Sequence, residues 1–147
     1  MMGSASSGNT LSPNGNYALA KRHRDMVFTS GMTPRQTGVL IQTGTITSKD
    51  DLERFKGAVE LAASNALAAA RKLLARDEQI DEILSITVFV SATADFTQHS
   101  CVADYASDYF FRELGERGIG ARAAIGAASL PGGSIVEIQI TATVAKH

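Results

Sequence analysis

From Val136 to Val144 apolar and polar residues alternate strictly: Val136-Glu137-Ile138-Gln139-Ile140-Thr141-Ala142-Thr143-Val144. At period two, Val136, Ile138, Ile140, Ala142 and Val144 share one side and Glu137, Gln139, Thr141 and Thr143 the other, the pattern of a strand with a dry face and a polar face. Residues 121–130 form a second extended run, and Leu130-Pro131-Gly132-Gly133 separates it from the first. A short Pro/Gly break between two extended runs predicts a hairpin, so the two strands are expected to be antiparallel neighbours. On that pairing Arg122, Ala124, Gly126 and Ala128 fall on the side of Glu137, a long cation and an acid above a floor of small residues. Such a pair serves either as an ordinary cross-strand ion pair, worth about 0.2–1 kcal/mol, or as a seat for a carboxylate, whose two oxygens match the planar guanidinium fork.

The upstream elements follow from the same kind of periodicity. Residues 1–11 are rich in Ser, Gly and Asn and are expected to be a flexible tail ahead of a single domain at 12–147. Ser12-Pro13-Asn14-Gly15-Asn16-Tyr17 is a turn-rich approach to a tyrosine that either anchors a loop with its ring or aims its hydroxyl into a pocket. Residues 25–31 predict a short strand ending at Gly31, with Ser30 at its tip, and Val39-Leu40-Ile41-Gln42 a strand that returns after a loop. Ser48 with Asp51 resembles a capping box, and apolar residues at helical spacing from Leu52 to about Ala75 predict the first helix, with Asn65 on its polar side. Ile80–Val90, rich in β-branched residues, predicts a central strand. Residues 96–114 predict a second amphipathic helix ended by Gly115, with Cys101 as a buried thiol and Asp104 beside the apolar face. Strands, helix, strand, helix, strands implies an α+β fold, a mixed sheet with two helices packed on one face. The other face, uncovered within one chain, predicts a homo-oligomer with pockets between its subunits.

A net charge of -1 gives no support to binding nucleic acid or a membrane surface. The one basic cluster, Lys21-Arg22-His23-Arg24, is short, abuts Asp25 and reads as a solvated turn. The single cysteine, Cys101, and the scattered His23, His99 and His147 have no metal-ligand spacing, so no metal and no cofactor is expected. With no apolar run long enough to span a bilayer and one cysteine, a cytoplasmic setting is expected.

With these pieces in place, the chain resembles the RidA/YjgF family, also known as endoribonuclease L-PSP-like. The resemblance runs from about residue 16 to 144. It rests on Asn16-Tyr17, Phe28-Thr29-Ser30-Gly31, Thr87-Val88-Phe89-Val90, the helix segment 104–111, Ala121-Arg122-Ala123-Ala124-Ile125-Gly126, Leu130-Pro131 and Val136-Glu137-Ile138. Asn65-Ala66-Leu67-Ala68-Ala69 and Gly115-Glu116-Arg117-Gly118 are similar to the longer branch of that family. The resemblance implies a chorismate-mutase-like fold, a homotrimer with ligand sites in the clefts between subunits, and hydrolytic deamination of reactive 2-imino and enamine acids, such as 2-aminoacrylate and 2-iminopropionate, to 2-keto acids and ammonia. It further implies that Arg122 holds the substrate carboxylate, that Tyr17 and Ser30 line the cleft, and that Glu137 positions or activates a water. The chain departs from the family pattern at Asp104, where better-known members carry asparagine, and at Ala124, where many carry cysteine. An acid close to the cleft disfavours anionic ligands.

Two other functions compete with the deaminase. One is a trimer that binds a small carboxylate metabolite, or regulates a partner, without chemistry. The other is an endoribonuclease, which the three unpaired histidines and near-neutral charge place last.

Overall fold

The computed structural model describes residues 9–147. In chain order the elements are β1 (Ala20–His23), β2 (Met26–Thr29), β3 (Arg35–Gln36), β4 (Val39–Leu40), α1 (Lys56–Arg71), β5 (Glu78–Ser91), α2 (His99–Leu114), β6 (Ala121–Ala127) and β7 (Val136–Lys146). Five strands make one sheet in the order β1-β2-β7-β5-β6, while β3 and β4 form a separate two-stranded ribbon. Both helices lie on the same face, as the element order implies: Val136, Ile138, Ile140 and Ala142 of β7 are buried together with Ala62, Ala66 and Ala70 of α1 and Val102, Ala106 and Phe110 of α2. Burying a side chain such as Ile138 contributes about 1.5–3 kcal/mol. The alanine-rich face of α1 lets its backbone approach the sheet closely.

The predicted hairpin between residues 121–130 and 134–144 does not form. β5 lies between the two strands, parallel to β6 and antiparallel to β7. Its Ile83, Ile86, Val88 and Val90 are almost wholly buried, so the most apolar strand takes an interior position. β6 reaches its flank through the α2 crossover. The Pro/Gly segment is a wide connection: Pro131–Gly133 makes a single 3-10 turn with Gly132 at φ 67°, and both Ile135 and Ala127 accept hydrogen bonds from the end of β5, at Ser91 and Ala92. Register then sets the faces. Ile86 stands opposite Arg122 and Phe89 opposite Glu137, and an odd separation along β5 puts these pairs on opposite sides. Arg122 and Ala124 therefore face the helices, and Glu137 the uncovered side. The expected common floor for Arg122 and Glu137 is absent.

Other expectations shift for local reasons. Of the predicted tail at 1–11, residues 1–8 lie outside the described residues. Asn9 is tied in, donating to the Arg35 carbonyl and accepting from the Thr37 amide, and Leu11 packs against the core. The basic cluster is the edge strand β1 rather than a solvated turn. Arg22 makes a two-pronged pair with Glu78 at 2.6 and 2.8 Å, and Arg24 turns the hairpin at φ 55°. The capping box is not reciprocal: Asp51 accepts from the Glu53 amide, whereas the Ser48 hydroxyl donates to Asp95. Cys101 is exposed, not buried.

Candidate functional site

Where β2 ends, its chain stays beside β7. Met32 and Ile138 exchange both backbone hydrogen bonds, at 2.7 and 2.8 Å, which brings Gly31 against Glu137. The Glu137 side chain packs so closely on this glycine that a Cβ at Gly31 would lie 2.8 Å from its Cγ and 2.6 Å from its Cδ. Only the missing side chain leaves that room. Beside the contact is a cavity of about 390 Å³ lined by Tyr17, Gly31, Thr33, Arg35, Asn65 and Glu137, with Leu11, Leu19 and Met32 as its apolar wall.

The Glu137 side chain is half-buried there, and no ion pair or side-chain hydrogen bond ties its carboxylate to another described residue. Loss of solvent pushes its carboxyl above the ordinary glutamate range. A carboxylate left without partners, and with a raised pKa, is suited to taking a proton from water.

Tyr17, 46 % exposed as a residue, lines the same cavity. Its hydroxyl oxygen accepts from the Asn14 amide at 3.1 Å, so the phenolic proton remains available to a ligand. Ser30 does not line the cavity. Its hydroxyl donates to the Ala18 carbonyl at 2.6 Å and its amide to the Leu19 carbonyl at 2.8 Å, which pins the Tyr17 loop to the end of β2. Ser30 thus positions Tyr17 and does not face the cavity.

Arg122 and Asp104 form a second constellation, on the helix side of the sheet. The Arg122 guanidinium donates to Asp104 at 2.8 Å and Ser107 at 3.0 Å through one nitrogen, and to the Ser100 hydroxyl at 2.7 Å and carbonyl at 3.3 Å through the other. Asp104 is solvated, its side chain 61 % exposed, and it pairs with Arg122 from the surface. Ala124 is partly buried on the same side and packs against the core.

Two cavity residues carry chemistry that the sequence pattern did not single out. Asn65, expected on the polar side of its helix, is 3 % exposed. Its amide nitrogen donates to the carbonyls of Thr33 and Arg35, both at 3.1 Å, and its oxygen accepts from Asn9. The other is Arg35, in the loop that Asn65 clamps. The available signal was weak: a polar residue amid the alanines of α1, and a cation beside Pro34.

Among the described residues no three His, Cys, Asp or Glu side chains cluster as metal ligands, and no helix is long and apolar enough to cross a membrane.

The family model for endoribonuclease L-PSP matches residues 7–144. The chain is 29 % identical over 111 residues to Protein TCP17 of Trypanosoma cruzi, spanning 75 % of this chain and 69 % of that protein. Among solved structures, the Agrobacterium tumefaciens protein Atu1372 is 32 % identical with a TM-score of 0.80, covering 95 % of this chain and 88 % of that one. Escherichia coli TdcF with bound serine superposes with a TM-score of 0.60 at 22 % identity, over 92 % and 91 % of the two chains.

Proposed function

The chain belongs to the endoribonuclease L-PSP family, and from that premise we propose that it hydrolyses small 2-imino and enamine acids to 2-keto acids and ammonia, with Glu137 as the base. The observation that carries this reading is the unpartnered, half-buried Glu137 in a cavity that also holds a hydroxyl donor, Tyr17, and a cation. A protonated imine is already electrophilic, so the protein mainly has to orient it and deliver a water. Glu137 takes a proton as the water oxygen bonds to the C=N carbon. Return of that proton to the nitrogen lets the C–N bond break, and the hydroxyl gives its remaining proton to Glu137, or to the departing ammonia, as its oxygen becomes the keto group. One water is consumed, ammonia leaves, and no electrons are exchanged. Serine bound to the similarly folded TdcF supports a ligand of amino-acid size.

The resemblance also assigns Arg122 to the substrate carboxylate and places ligand sites between subunits. Since Arg122 and Glu137 face opposite sides of the sheet in one chain, that pairing requires a neighbouring copy. The uncovered sheet face, which carries Phe28 and Ile125 at 42 % and 43 % exposure, suits such an assembly.

The ribonuclease reading has less support, because none of His23, His99 and His147 lines the cavity. The test is a coupled assay in which an amino-acid oxidase generates 2-imino acids and their loss is followed with and without the protein. We expect acceleration that Glu137→Gln abolishes. Absence of acceleration across small, aliphatic and aromatic imines would leave a carboxylate-binding protein without chemistry.

A further inference from the structure

The cluster around Arg122 offers both signs of charge to a ligand. Arg122 is the positive end. It lies on the edge strand β6 and donates through one nitrogen to Asp104 at 2.8 Å and Ser107 at 3.0 Å, and through the other to the Ser100 hydroxyl at 2.7 Å. Both serine oxygens accept from the guanidinium, so each hydroxyl keeps its own proton to donate. Asp104, in the second turn of α2, is the negative end, and its side chain is mostly exposed. Its Oδ1 takes the bond from Arg122, and among the described residues Oδ2 takes none. Asp108 follows one helical turn later, also exposed, and adds a second negative charge to that side of the helix.

A ligand that is only an anion is drawn by Arg122 and repelled by Asp104, and the two effects oppose each other. A zwitterion gains from both. In a 2-amino acid or a protonated 2-imino acid, carboxylate and nitrogen cation are held by neighbouring carbons, a separation that matches two side chains already in contact. The carboxylate can take the guanidinium and the serine protons while the nitrogen donates to Asp104.

We propose that Arg122 and Asp104 together form a seat for a zwitterion, Arg122 taking the ligand carboxylate and Asp104 its nitrogen cation, so that the site separates a protonated 2-imino acid from the 2-keto acid its hydrolysis leaves. The carboxylate end and the link to hydrolysis rest on the reading above; the preference for a nitrogen cation is carried by Asp104. Loss of the nitrogen turns the Asp104 contact from attraction to repulsion, which favours departure of the product.

The test compares binding of alanine and of pyruvate, the same three carbons with and without a nitrogen cation, to the full chain by calorimetry. The proteins are the wild type, Asp104→Asn and Arg122→Gln, with circular dichroism to verify folding and Asp104→Ala in reserve should Asp104→Asn not fold. We expect the wild type to bind alanine more tightly than pyruvate. In Asp104→Asn the ratio of the two affinities should fall roughly 10-fold, through weaker alanine and tighter pyruvate binding, a size that suits so exposed a pair. Arg122→Gln should weaken both ligands. An unchanged or raised ratio in the Asp104 variant overturns the proposal, as does a wild type that prefers pyruvate or binds neither. The imine assay separates the two ideas. A ratio that falls as expected, with no imine hydrolysis by the wild type, removes the hydrolase and keeps the seat. Imine turnover with unchanged KM and unchanged inhibition by pyruvate in Asp104→Asn removes the seat and keeps the hydrolase.

Discussion

The Glu137 side chain lies directly on the backbone of Gly31, with its Cγ 2.8 Å from where a Cβ would stand. Gly31→Ala must therefore push the carboxylate aside or spread β7 from the end of β2. Overpacking of this kind costs typically 1–3 kcal/mol. We expect a lower melting temperature together with a fall in kcat for imine hydrolysis. Wild-type values for both would mean that the contact relaxes freely and that Glu137 needs no support from Gly31.

Loss of solvent around Glu137 raises its folded pKa, so the native state keeps this proton to a higher pH than the unfolded chain does. Its contribution to stability is present below the unfolded value and is lost as pH rises through the folded one. Glu137→Gln should thus gain stability relative to the wild type as pH rises from 4 to 7, about where a glutamate titrates. Activity runs the other way. With Glu137 as the proposed base, its ionised form does the work, so the acid limb of kcat should lie above the range of a free glutamate, and Glu137→Gln should lower kcat by roughly 10²–10⁴. A limb at the free value would remove burial as the tuning force.

Asn65→Ala leaves the Thr33 and Arg35 carbonyls without their shared donor and Asn9 without its acceptor. The expected loss is about 1–3 kcal/mol by chemical denaturation. Because the loop that carries Arg35 loosens, KM for imines should rise by a larger factor than kcat falls. Equal changes in the two would assign Asn65 to the fold alone.

Glu78 shows the opposite electrostatics to Glu137. Its two-pronged bond to Arg22, helped by the Ala75 amide, holds its pKa down to about 2. The stabilisation is complete above the unfolded value near 4.3 and is lost as pH falls from there through the folded value. Between pH 7 and pH 3 the wild type should lose more melting temperature than Glu78→Gln, which has no such proton to take up. Parallel losses would show that other carboxylates set the acid sensitivity.

Phe28 and Ile125 stand on the face without helices. If copies of the chain assemble through this face, Phe28→Lys with Ile125→Lys should lower the sedimentation coefficient toward that of a monomer and leave the circular dichroism spectrum unchanged. Identical sedimentation of the two proteins would remove this face from the assembly.

Much of this molecule can be read from local pattern. The dry side of β7, the β-branched run of β5 and the helical spacings of α1 and α2 each carry their own period, and each is present. Pairing is not local. Nothing between Leu130 and Ser134 records that β5 will occupy the place between β6 and β7, yet that one insertion moves Arg122 to the far side of the sheet from Glu137. The same limit applies to the cavity. Glu137 and Tyr17 could be picked out by type and resemblance, whereas Arg35 and Asn65 matter because a loop and a helix distant in sequence meet there.

The position of β7 also bears on when this molecule can fold. β1 and β2 have only each other until Met26, Val27 and Phe28 meet Thr143, Ala142 and Thr141, and an isolated two-stranded hairpin is marginal in water. On the ribosome nearly all of this sequence must be synthesised before the first strands find their place in the sheet. Closing so long a loop is slow and leaves the apolar edge of β2 open to wrong partners meanwhile.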